Sequence, residues 1–192
     1  MARPKEFENE AALEQAIELF SAHGYEGTST DELLRVMGIS RQSMYNTFGD
    51  KRRLYLEALR RYTASSVSEQ IRALRAHASA IKGIEALMDF VVSRAVADPD
   101  PKCLGISAIC EFGRSDAEIA TITDVASMTF ISALECRIAE AKAEGEIGKG
   151  IGPQTATQFL MAALSGIKIA ARAGATRETL RGMARLALRG IR

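Results

Sequence analysis

Between Arg41 and Phe48 the chain reads Arg-Gln-Ser-Met-Tyr-Asn-Thr-Phe, in which Arg41, Gln42, Ser43, Asn46 and Thr47 surround two apolar residues four apart, Met44 and Phe48. On a helix, residues four apart share a face, so Met44 and Phe48 would bury while the polar set points outward. Arginine and glutamine carry donors and acceptors that match base edges in the DNA major groove, and short hydroxyls and amides reach phosphates. This is the chemistry of recognition. Turnover would need a nucleophile with its base, a carboxylate pair in a cleft, or a metal cluster. The two histidines, His23 and His77, stand far apart without Cys or Asp at ligand spacing, so capping or solvent exposure is the expected role of each. Catalytic residues, a cofactor and a metal site are therefore not expected. A soft-metal site built from Cys103, Cys110 and a third donor is the alternative.

The elements that would position this face are helices. Leu13, Ala16, Ile17 and Phe20 give a first amphipathic helix that Gly24 ends. Ser29 and Glu32 have capping-box spacing at the start of a second helix with an apolar side of Leu33, Leu34, Val36 and Met37. Gly38 is a left-handed stop, and Ser40 caps a third helix running from Arg41 to about Phe48, which completes a helix-turn-helix. Gly49 and Asp50 repeat the stop and start before a long fourth helix striped by Leu54, Tyr55, Ala58, Leu59 and Tyr62. Further helices are expected at roughly 80–97, 103–113, 116–144, 153–173 and 176–190. They are punctuated by the Asp98-Pro99-Asp100-Pro101 break, a Ser115/Glu118 capping box, and the glycines of 145–152 ahead of Pro153. The fold expected is all-α, of about nine helices: a three-helix DNA-binding domain at 1–60, with its helix-turn-helix at about 29–48, and a larger helical domain at 61–192.

With 47% hydrophobic residues the chain can bury a substantial core. Its 25 basic and 24 acidic residues nearly cancel, so an affinity for nucleic acid must come from local placement. From Arg35 to Arg61 there are seven basic residues (Arg35, Arg41, Lys51, Arg52, Arg53, Arg60, Arg61) against Asp50 and Glu57, a local excess of five. Three cysteines without a paired framework suggest reduced thiols, and the charged start and the lack of an apolar run of about 18 residues suggest a soluble, cytoplasmic protein with no membrane partner.

The segment from Phe7 to Leu59 resembles the DNA-binding domain of the tetracycline-repressor (TetR) family, in its AcrR-like branch. The match lies in Phe20, Gly24, Tyr25, Thr28 and Ser29, the Gly38-Ile39-Ser40 turn, and Met44, Tyr45, Phe48 and Lys51. That resemblance implies that Arg41, Gln42, Ser43 and Thr47 face bases and that Thr30, Tyr45, Asn46 and Lys51 contact the DNA backbone. Lys51, in the first turn of helix four, would add its charge to the helix amides in holding a phosphate.

The resemblance also implies a homodimer on double-stranded palindromic operator DNA, usually as a repressor, and a helical cavity for an unidentified small-molecule effector. A dimer is also what the short reach of one reading head requires. The dimer surface is expected on the last two helices, through Leu160, Leu164, Ile167, Leu180, Ala184 and Ala187, with small residues such as Ala163, Gly166 and Ala170 allowing close approach. Met88, Phe112, Met128, Phe130, Phe159 and Met161 are the expected pocket lining. Cys103, beside Lys102 at a helix start similar to that of cysteine-based sensors in this family, is a candidate pocket thiol and redox sensor, with buried filler as its plainer role. A nonspecific or structural DNA-binding protein is the alternative function.

Overall fold

The computed structural model describes residues 4–97 and 103–192; the Asp98–Pro101 break and Lys102 lie outside them. Among the described residues the regular elements are nine helices and no strand: α1 (Pro4–His23), α2 (Thr30–Met37), α3 (Arg41–Phe48), α4 (Lys51–Leu74), α5 (Ala80–Ala97), α6 (Leu104–Phe112), α7 (Ala117–Ala143), α8 (Pro153–Arg172) and α9 (Arg177–Gly190).

The first three junctions follow the capping chemistry expected of them. Ser29 Oγ accepts from the Glu32 amide at 3.1 Å while Glu32 Oε2 accepts from the Ser29 amide at 3.2 Å, which satisfies two orphan donors of α2. Gly38, at φ 65°, closes α2 in the left-handed region that a side chain would resist. Ser40 Oγ accepts from the Ser43 amide at 3.1 Å to start α3, and Asp50 Oδ1 accepts from the Arg53 amide at 2.8 Å to start α4. The start of α7 differs from expectation. Its cap is Asp116, whose Oδ1 accepts from the Glu118 and Ile119 amides, each at 3.1 Å. Ser115 Oγ instead donates to the Phe112 carbonyl at 2.6 Å. A carboxylate suits the positive end of a helix better than a hydroxyl, and the Glu118 side chain is engaged by Arg52.

The chain forms two compact units. The first joins α1–α3 and α4 as far as Ser65 with α6 and α7 as far as Asp124. Its core gathers Phe20, Leu33, Met44, Leu54, Tyr55, Leu59, Leu104 and Ile119, all at most 1% exposed. The second joins the rest of α4 and α7 with α5, α8 and α9. There Leu74, Ile84, Leu87, Met88, Leu134, Ile138, Leu160 and Ile167 are fully buried. Helix α7 has the length and hydropathy of a membrane-crossing helix, yet its inward residues feed these cores: Ile119 and Ile122 the first, Phe130, Leu134 and Ile138 the second.

One polar staple holds the second unit. Arg137 on α7 donates through Nη2 to the carbonyls of His77 and Ser79, each at 2.9 Å, and pairs through Nη1 with Glu140 at 2.6 Å. It thereby binds the turn between α4 and α5. Arg137→Ala is expected to cost about 1 kcal/mol, because the part-buried Ser79 carbonyl and the exposed His77 carbonyl lose a charged donor that water replaces only in part. A urea midpoint unchanged from the parent protein would show that water replaces the staple.

The six residues expected at a dimer surface on α8 and α9 lie elsewhere. Leu160, Leu164, Ile167, Leu180, Ala184 and Ala187 are at most 4% exposed and belong to the chain's own second core, against α5. A side chain enclosed by its own protomer cannot meet a second copy. The outward faces carry a separate apolar set: Phe159 at 44%, Ile169 at 53% and Leu186 at 71% exposed, with half-buried Ala163, Gly166, Ala170 and Met183 beside them.

Candidate nucleic-acid interface

Helix α3 is eight residues long and is held by two of them, Met44 and Phe48, at 0% and 7% exposure. Anchoring one side leaves Arg41, Gln42, Ser43, Tyr45, Asn46 and Thr47 all exposed. Gln42 Nε2 donates to Asn46 Oδ1 at 2.9 Å, one turn along, and Arg41 pairs with Asp31 of α2. Both contacts are on the surface, where such pairs contribute between nothing and about 1 kcal/mol, so a base edge or phosphate can displace them. Tyr45 is 49% exposed, so its hydroxyl is presented beside the polar face.

Around this face the positive charge is less free than a count along the sequence implies. Arg52 pairs with Asp116 and Glu118, each at 2.8 Å, and the Arg52 hydrogen bond holds the Asp116 carboxyl below the usual carboxylate range. Arg61 meets Glu10 at 3.2 Å and Glu14 at 3.7 Å. Arg35, Lys51, Arg53 and Arg60 face no carboxylate at ion-pair distance among the described residues. Lys51, the first residue of α4, lies with Nζ 4.2 Å from the centroid of the Tyr25 ring, so an aromatic face steadies it while its charge stays available. Thr30, the first residue of α2, is half-buried beside the Ser29 cap.

The support behind the helix-turn-helix comes partly from α6, which packs on α1. Tyr55 of α4 centres an aromatic cluster, 5.0 Å from Phe20, 5.1 Å from Tyr25 and 5.8 Å from Phe112. Its hydroxyl is buried without a hydrogen-bond partner among the described residues, and burial pushes it well above the ordinary phenol range. Glu111, beside Phe112, accepts from the Tyr25 amide at 2.9 Å and the Glu26 amide at 2.7 Å. The long-range contacts of Glu111, Asp116 and Glu118 escape sequence reasoning because each partner lies more than 60 residues away.

The residues expected to line a pocket do not share one location. Phe112 belongs to the first unit's core. Met88 and Phe130 are buried in the second core, with Met161 packed against it, while Met128 and Phe159 are 69% and 44% exposed. Cys103 is the half-buried N-cap residue of α6 and makes no side-chain cap bond, whereas Cys110 and Cys136 are exposed.

Residues 12–58, which span this interface, match the family model described as bacterial regulatory proteins, tetR family. The chain is 35% identical over 149 residues to the uncharacterized HTH-type transcriptional regulator YezE of Bacillus subtilis, covering 77% of this chain and 76% of that one. It is 28% identical to the HTH-type transcriptional repressor ComR of Escherichia coli, covering 97% and 90%. Among solved structures, a cysteine mutant of the TetR-family regulator CifR, complexed with 26-base-pair operator DNA, superimposes over 100% of both chains with a TM-score of 0.82 and 27% identity. A helix-turn-helix anchored by Met44 and Phe48, this family match and a relative similar over three quarters of its length agree: the chain belongs to the tetR family of bacterial regulatory proteins and is a helix-turn-helix transcriptional regulator.

Proposed function

We propose that this regulator binds a palindromic double-stranded operator as a homodimer, represses transcription there, and is released by a small-molecule or redox signal. The observation that carries the reading is α3: its core side is fully committed while every hydrogen-bonding residue on its other side is exposed. Arg41, Gln42, Ser43 and Thr47 face bases; Thr30, Tyr45, Asn46 and Lys51 hold the backbone. Repression is supported by the description of ComR, and the operator by the DNA complex of CifR. The second copy docks on the outward faces of α8 and α9, around Phe159, Ile169 and Leu186, because these form an apolar surface that the protomer leaves uncovered. The effector lodges in the second unit beside Met88, Phe130 and Met161, and the signal works by preferring a form that does not fit the operator. The site of action is the cytoplasm.

The test is selection of bound duplexes from a random DNA pool at low and physiological salt. A two-fold symmetric motif is expected, as for a dimer reading two half-sites. On the selected duplex, Gln42→Ala should relax preference at particular base pairs by about 1–3 kcal/mol, whereas Lys51→Ala should weaken all sequences alike. Binding that yields no motif and vanishes with salt would instead identify a phosphate-driven, nonspecific binder.

A further inference from the structure

We propose that Glu111 of α6 is a positioning residue for the DNA grip: by capping the turn between α1 and α2 it fixes Tyr25, and Tyr25 in turn seats the ammonium of Lys51. The proposal rests on Lys51 being a phosphate contact.

Glu111 is where an acidic side chain is least expected. It is the penultimate residue of α6, at the negative end of the helix dipole, and it is exposed. What holds it there is a pair of backbone bonds across 85 and 86 residues of sequence: Oε1 accepts from the Glu26 amide at 2.7 Å and Oε2 from the Tyr25 amide at 2.9 Å. Both amides lie two and three residues past the end of α1, and a carboxylate accepting two of them makes charge-assisted bonds, stronger than their neutral counterparts. Gly24 suits the site on two counts, its left-handed backbone first and the nearby carboxylate second. A Cβ there would sit 2.8 Å from Glu111 Oε2, on a backbone already at φ +73°.

The capped residue leads in two directions. Along the chain, Thr28 donates from its amide to the Tyr25 carbonyl at 3.3 Å and from Oγ1 to the Gly24 carbonyl at 2.6 Å, so the turn is wired up to the Ser29 cap of α2. Across space, the Tyr25 ring packs on Tyr55 and on Phe112, the neighbour of Glu111, and its face lies 4.2 Å from Lys51 Nζ. Two adjacent α6 residues thus place Tyr25, Glu111 through its backbone amide and Phe112 through its ring, and that ring orients a phosphate-binding cation. Losing the carboxylate frees the turn and lets the ammonium wander, without removing any group that touches DNA.

The test uses the full chain and a mixed-sequence DNA duplex of about 30 base pairs, since phosphate contacts do not depend on sequence. The slope of log affinity against log salt is measured for the parent, Lys51→Ala, Glu111→Ala, Glu111→Gln and the Lys51→Ala/Glu111→Ala double variant, with thermal melts alongside. Lys51→Ala should lower the slope by about one per protomer. Glu111→Ala should lower it by a comparable amount, the double variant should fall no further than Lys51→Ala, and Glu111→Gln, which keeps one acceptor, should lie between. If Lys51→Ala lowers the slope but both Glu111 variants retain it and merely melt earlier, Glu111 is a structural cap and the proposal is overturned. If Lys51→Ala itself leaves the slope intact, the phosphate role of Lys51 fails first. Should Glu111→Ala not fold, Glu111→Gln alone decides: a reduced slope supports the proposal, and an unchanged slope overturns it.

Discussion

Replacing Ile169 and Leu186 together by glutamate is expected to leave the protomer folded, convert dimer to monomer, and weaken binding to the selected duplex by at least about 100-fold. The two side chains are 53% and 71% exposed on the outer faces of α8 and α9, so the free protomer loses little when they become charged. Packed against a second copy, the same carboxylates would be buried without partners, a cost of several kcal/mol each. Binding would then suffer because a tethered second reading head acts at high effective concentration, and a lone head loses that gain. Leu164→Ala tests the other side of α8. Leu164 is 3% exposed in the protomer's own core, so the change should lower stability by about 2–5 kcal/mol while the folded fraction remains dimeric. Sedimentation velocity and melts on the variants separate the two faces. A double glutamate variant that stays dimeric would move the interface away from α8 and α9, with the exposed Val125 and Met128 on α7 the next surface to test.

That experiment addresses the point at which sequence and structure part. Helix ends were legible because a cap is a local device: Ser29 with Glu32, Gly38, and Ser40 each act within one turn, and all behave as their spacing predicts. The face of α3 was legible for the same reason, since Met44 and Phe48 leave the polar residues one way to point. On α8 the periodicity of Leu160, Leu164 and Ile167 correctly marks a buried face, but periodicity does not say whose atoms bury it, and α5 of the same chain does so. Of the outward face, the small residues Ala163, Gly166 and Ala170 were legible as a surface of close approach, whereas the exposure of Phe159 and Ile169 was not, because isolated apolar residues among small ones leave no stripe. Charge shows the same divide. Arg52 and Arg61 count as free cations along the sequence, yet the fold brings Asp116 and Glu118 to one and Glu10 and Glu14 to the other. Even the cap of α7 turns on such a contact, because Arg52 engages both Asp116 and the Glu118 side chain.

Met44→Ala should lower the stability of the reading head by about 2–4 kcal/mol. An isolated helix of eight residues has no appreciable stability in water, so α3 exists because its neighbours hold it. Met44, fully buried, is one of its two buried residues, and truncation leaves a void that Phe48 cannot fill from one turn away. Hydrogen exchange should therefore show the α3 amides opening well before those of the second unit, where the core residues of α5 and α8 are untouched. Affinity for DNA should fall only by the fraction of molecules whose α3 has come loose, because the contacting side chains are unchanged. Met44→Leu should restore most of the loss, since leucine fills nearly the same volume. Uniform loss of protection across both units in Met44→Ala would mean that the head and the rest of the chain unfold as one, and that α3 has no separate stability to lose.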